Sequence, residues 1–293
     1  MSILLNSTLD VIQKEFALKA PTWSTTQMLT KAEEAYLRKE CTTESEFDPH
    51  NRRNTMYRRM MDGTATVVKK VCPFGTVIAI LEFPEQNDHI PWSVWGRIFR
   101  MYSEKGEKPF TVFLLGNTHL RTFPPGKQPI TPHNINGGYT YPCNRQTILI
   151  YRAEDATRVL LHELMHSCCL DNHALGVDRV EAATEAWAEL IYVALLSQGV
   201  EREFMMLLHM QSDWMIKQDS IVKKHMHTLT QNPNSMEFPW RYTIGKEEIW
   251  RKWNILNTTP MARVSVGNSL RLTCPPSKAI KLRFDVPPES MIL

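Results

Sequence analysis

The sequence predicts an α+β fold: a small mixed β-sheet, an active-site helix laid against it, and a mainly helical C-terminal lobe. Three observations lead there. Runs of β-branched residues broken by turns recur between residues 64 and 151, two strongly helical segments follow at 155–169 and 178–198, and beyond residue 201 the apolar spacing stays helical until a Pro-punctuated tail.

The elements justify this in order. Thr8–Ala17 and Ser24–Arg38 have helical spacing and form, with the polar run Glu40–Asn54 read as a surface connection, a helical leader over residues 1–60. Thr64–Val71 and Thr76–Phe83 flank a Cys-Pro-Phe-Gly turn and read as a hairpin; Trp92–Ser103 is an amphipathic helix, and Pro109–Leu115 a short strand. The loop Asn117–Asn136 is long enough to act as a binding element. Gly137–Tyr141 and Gln146–Tyr151 form a second hairpin, followed by helices Asp155–Cys169, with Asp155 as its cap, and Asp178–Gln198, capped by Asp178 and ended by Gly199. Residues 61–200 therefore read as a core, and 201–293 as a helical lobe with a strand-like tail.

Composition narrows the function classes. The 293 residues carry 34 basic and 31 acidic side chains, a balance that demands neither nucleic acid nor anionic lipid. No stretch of about 18 uninterrupted apolar residues occurs, so no membrane span is expected. The six cysteines are scattered without a C-x-x-C pair and read as thiols in a reducing compartment; together with a start that lacks a secretory pattern, this places the chain in the cytoplasm.

The chemistry lies in Val-Leu-Leu-His-Glu-Leu-Met-His, residues 159–166. His162 and His166 are four apart, on one face of the predicted helix and within reach of one ion, with Glu163 beside them. Zn²⁺ held by three protein ligands keeps a position for water, lowers that water's pKa to roughly 7, and leaves a carboxylate such as Glu163 to act as general base. A third ligand must come from elsewhere in the chain. The next helix lines up Glu181, Glu185 and Glu189 on one face; like charges at this spacing repel mildly, so the stripe is either solvated or placed near a cation.

His162-Glu163-x-x-His166, eighteen residues, then Glu185 within Thr-Glu-Ala-Trp-Ala-Glu, resembles the gluzincin branch of the zincin metallopeptidases, which includes the thermolysin-like proteases and the zinc aminopeptidases. The resemblance covers roughly Pro109–Gln198. It implies a zincin-like fold, one Zn²⁺ per chain on His162, His166 and Glu185, and Glu189 orienting a ligand histidine. It further implies that Glu163 drives hydrolysis of a peptide or protein substrate, which pairs with the sheet edge at Gly137–Tyr141 and so makes Gly138, Tyr139 and Tyr141 substrate-binding candidates. The aminopeptidase signature Gly-x-Met-Glu-Asn is absent, which favours an endopeptidase. A metzincin would need Gly at position 169 and His at 172, where this chain has Cys169 and Asn172, and His173 falls one residue late. The oxyanion donor expected of a gluzincin has three candidates, Tyr242, His225 and His227, of which Tyr242 also reads as a packing residue.

An alternative from another class is a zincin-fold protein that has lost turnover and serves as a structural or binding component; the intact Glu163 argues for the enzyme. Arg52–Arg59, with four arginines around Tyr57, reads mainly as a solvated helix face and only secondarily as a phosphate-binding stretch. Met205, Met206, Met210 and Met215 read as core, and Cys168 and Cys169 as small buried apolar residues.

Overall fold

A computed structural model describes residues 1–26, 29–48, 50–230, 238–258 and 264–275. The chain begins with α1 (Ile3–Ala17), β1 (Ser24–Thr26), α2 (Lys31–Thr42), α3 (Arg52–Met61) and the hairpin β2 (Thr66–Cys72) and β3 (Gly75–Leu81). It continues through α4 (Gln86–His89), α5 (Trp92–Tyr102), β4 (Phe110–Gly116), α6 (Pro132–Ile135), β5 (Gly138–Tyr139) and β6 (Ile148–Ile150). The motif helix α7 (Ala156–Ser167) follows, then α8 (Val177–Leu196), α9 (Glu201–Thr230), α10 (Phe238–Tyr242) and α11 (Ile244–Lys252). These elements form two compact units, one built on the sheet and one on helices.

The sheet unit comprises Lys19–Leu120 and Asn136–Leu170. Its six strands lie in the order β1-β2-β3-β4-β6-β5; β3, β4 and β6 run parallel, and the remaining pairings are antiparallel. The period-2 alternation of a strand decides what covers each face. Ile78, Ile80, Phe113, Leu115 and Leu149 point to the face closed by Leu37 and Cys41 of α2 and Met56 of α3. Alternate residues meet α5: Phe99 stacks 5.5 Å from Phe110, and a Cβ on Gly75 would fall 2.6 Å from the Phe99 ring, so only glycine admits the helix this close. Trp95 of α5 donates to Thr157 of α7 at 2.8 Å, tying α5 to the motif helix.

Two readings of the leader change. Ser24–Thr26 is a strand rather than the start of a helix; α2 begins at Lys31, where Thr30 and Glu33 cap each other's backbone N–H groups in a capping box. The run Glu40–Asn54 is not a solvated connection, since Glu40, Asp48, Arg52 and Arg53 are buried. Asp48 receives the backbone N–H groups of Arg52 and Arg53 and the Arg53 Nε, each at 3.0–3.1 Å, so one carboxylate both caps α3 and neutralises a buried guanidinium. Arg59 pairs with Glu82 at 2.8 Å. The expected solvated arginine face is thereby corrected: three of its four arginines are buried or held by carboxylates.

The helical unit comprises Met1–Leu18, Arg121–Ile135 and the described residues from Asp171 onward. Part of the long loop after β4 is packed rather than free: Phe123, Ile130 and Ile135 are buried with Val222, Met226, Ile244, Leu270 and Leu272 in this unit's core. Alanines on α8 let α11 approach so closely that a Cβ on Gly245 would sit 2.9 Å from that of Ala182. Met210 and Met215 are core, whereas Met206 is exposed. The tail was expected to be strand-like; over 264–275 it makes only an isolated bridge, Thr122 with Ser269. Side chains supply what a ladder would: Trp214 and Gln218 donate to the Arg271 carbonyl, and Gln211 and Lys246 to that of Leu272. The remainder of the expected tail, 276–293, lies outside the described residues. The two units thus divide the chain differently from sections 1–60, 61–200 and 201–293. Among the described residues no helix is long and apolar enough to cross a membrane.

Candidate metal site on helix α7

Helix α7 forms where Leu160, Leu161 and Leu164 present a continuous apolar face, and all three are fully buried. Asp155 stands at its N-cap position in left-handed conformation and makes no side-chain cap hydrogen bond, so the capping read from the sequence is not made. One turn apart, His162 and His166 bring their Nε2 atoms to 2.9 Å, with ring centroids 4.6 Å apart. Two imidazole nitrogens at this separation need complementary tautomers, or a cation to share. His162 and Glu163 are buried and His166 half-buried.

The sheet brings Gly138 to the same place. A Cβ there would lie 2.7 Å from Val159 Cγ1, 2.9 Å from the Leu149 carbonyl and 3.4 Å from Glu163 Oε1, so the glycine lets β5 run directly beside the Glu163 carboxylate. β5 ends the sheet order, with β6 on one side and no described strand on the other. Alternation turns Tyr139 to the opposite face, where its hydroxyl donates to Glu40 at 2.7 Å and accepts from Arg53 at 2.7 Å. Burial first, and the bond to Glu40 next, push the Tyr139 hydroxyl far above its usual range, which keeps it protonated. Tyr141 is half exposed, with its hydroxyl 3.3 Å from Glu40. Of the three substrate-binding candidates, only Gly138 thus presents its side-chain position to Glu163.

The other candidates belong to the helical unit. Glu185 and Glu189 are buried on α8, with Glu181 half-buried on the same face. The Glu189 Oε2 atom accepts from Lys246 at 2.9 Å and from Thr273 at 3.3 Å, an ion pair with both partners wholly buried. Tyr242 packs 5.0 Å from Phe238 beside the unit's core, His225 Nε2 bonds to the Gln128 carbonyl at 2.7 Å, and His227 and His173 are exposed.

The cysteines overturn a sequence expectation. Cys143, in the turn after β5, and Cys169, just past α7, form a disulfide with Cα atoms 4.8 Å apart. Cys169 is exposed rather than a small buried residue; Cys168 is half-buried, 3.7 Å from the Tyr102 carbonyl, and burial raises its thiol pKa. Adjacent Cys168 and Cys169 masked the pairing, yet a hairpin leading into a helix was the signal that turn and helix end meet. The Glu40–Tyr139–Arg53 network was equally unforeseen, its partners being far apart in sequence. No protein-family model, curated protein or solved structure matches the chain.

Proposed function

We propose that the chain is a zinc-dependent metallopeptidase of zincin type, gluzincin-like, acting on a peptide or protein substrate as an endopeptidase. The carrying observation is the convergence of His162 Nε2 and His166 Nε2 at 2.9 Å with Glu163 next along the same buried turn. Two histidines one turn apart are donors that fit zinc, and the neighbouring carboxylate fits a base acting on its water. The third ligand is assigned to the acidic face of α8, to Glu185 by its spacing from His166. Glu189, expected one turn further on to orient a ligand histidine, pairs with Lys246.

Zinc bound there would polarise a substrate carbonyl and lower the pKa of water. The chain's own groups do the rest. Glu163 takes a proton at its carboxylate and returns it to the departing amine. β5 holds the substrate: its outer edge offers backbone N–H and C=O groups to an extended peptide, and Gly138 lets that strand lie close to Glu163. Because pairing is through the main chain, Tyr139 takes part by its backbone while its ring faces the leader. The oxyanion donor is assigned to Tyr242.

The test is hydrolysis of an unstructured protein substrate by wild type and Glu163→Gln. The variant should retain its metal and lose roughly 10²–10⁴-fold in turnover; undiminished turnover would remove Glu163 from the mechanism.

A further inference from the structure

The Cys143–Cys169 disulfide joins two elements on which the candidate site depends. Cys143 follows the edge strand Gly138–Tyr139, and Cys169 lies three residues past His166. The bond closes a ring of chain that contains β6, α7 and so His162, Glu163 and His166. At the closure the His166 carbonyl accepts from the Cys143 N–H at 3.0 Å and from the Cys169 N–H at 3.2 Å. Both cysteines hold left-handed backbone, φ 61° and 56°, a conformation that non-glycine residues adopt only where their surroundings impose it. Both residues are solvent-exposed, and exposed disulfides are the labile ones.

We propose that Cys143–Cys169 is a redox-modification site, reduced by dithiols, that sets the metal affinity of His162 and His166. The inference rests on the metal-site reading above. One thiolate of a dithiol attacks a cysteine sulfur, forming a mixed disulfide and releasing the other cysteine as thiolate; the second dithiol sulfur then displaces the first cysteine. Two electrons pass to the protein, the dithiol leaves as a cyclic disulfide, and its two protons end on Cys143 and Cys169. Reduction removes the covalent brace from the turn that carries His166. Loss of groups that orient a ligand histidine typically weakens metal binding 10–100-fold.

The experiment uses the full-length protein, air-oxidised or treated anaerobically with dithiothreitol that is then removed. Alkylation and mass mapping report the thiols, and competition with a chromophoric chelator reports zinc affinity. Oxidised protein should leave Cys143 and Cys169 unalkylated and bind zinc about tenfold more tightly than reduced protein. Cys143→Ala/Cys169→Ala should bind like the reduced form under both conditions. Alkylation of both cysteines in oxidised protein would overturn the proposal whether or not zinc binds. So would equal affinity in the two states, a redox response persisting in the double variant, or tighter binding after reduction, which would make the thiols ligands. An intact disulfide with no zinc bound in either state would instead sink the metallopeptidase reading, and the inference with it.

Discussion

In the sheet unit, Asp48, Arg53, Glu40 and Tyr139 satisfy one another behind β5, on the face away from Glu163, while β3, β4 and β6 carry no charged side chain. The helical unit instead threads charge among its packed helices: Lys246 and Glu189 pair with no exposure at all, and Asp219 is buried facing Glu247. The difference teaches where each unit is fragile. An apolar core of strands loses stability through volume, whereas an ion pair threaded between packed helices loses it through orphaned charge.

The largest effect should come from Lys246→Met, which leaves Glu189 charged and unneutralised in the interior. A loss of about 3–5 kcal/mol in chemical denaturation is expected, with most of it recovered in Lys246→Met/Glu189→Leu. A cost below about 1 kcal/mol would put the pair among the weak surface bridges and erase the contrast between the units.

Gly138→Ala tests the sheet unit in its own terms. The added methyl meets Val159 and the Leu149 carbonyl at 2.7 and 2.9 Å, so about 1–3 kcal/mol should be lost as β5 is forced off α7. A neutral result would show that β5 does not lie against Glu163.

The smallest effect is a slope against pH. Burial, followed by the neighbouring Glu247, raises the Asp219 carboxyl well above 3.8, so its proton is held more tightly in the fold than in the unfolded chain. Its stabilisation is therefore full below 3.8 and is lost as pH rises through the raised folded value. Against the opposing effect of burial, the hydrogen bond with Asp219 and then the pairing with Arg251 hold Glu247 below 4.5, and its contribution is lost on the acid side instead. Thermal unfolding across pH should show Asp219→Asn losing less stability than wild type as pH rises above 3.8; identical slopes would mean that Asp219 does not carry the proton.

Local pattern made most of the sheet unit legible. The β-branched runs Thr64–Val71 and Thr76–Phe83 and the turn between them located β2 and β3, and helical spacing located α5, α7 and α8 nearly to the residue. The two histidines were legible for the same reason, because four residues is one helical turn. What escaped depends on partners distant in the chain. Glu40 and Arg53 look like surface residues until Tyr139, some 86 residues beyond Arg53, is brought to them. Lys246 and Glu189 are 57 apart, and the tail that fills the helical core pairs through side chains, for which a strand pattern gives no signal. Ser24–Thr26 was lost to the stronger helical signal of the segment after it.

On the proposed reading, His162 and His166 hold a zinc ion together with a carboxylate from α8. Elemental analysis of purified wild type, His162→Ala and Glu185→Ala, with Glu181→Ala alongside, tests it most directly. The account predicts about one zinc per wild-type chain and its loss from His162→Ala and Glu185→Ala. Wild-type protein that stays metal-free after reconstitution would contradict it; zinc lost from Glu181→Ala but kept by Glu185→Ala would move the third ligand one turn along the helix.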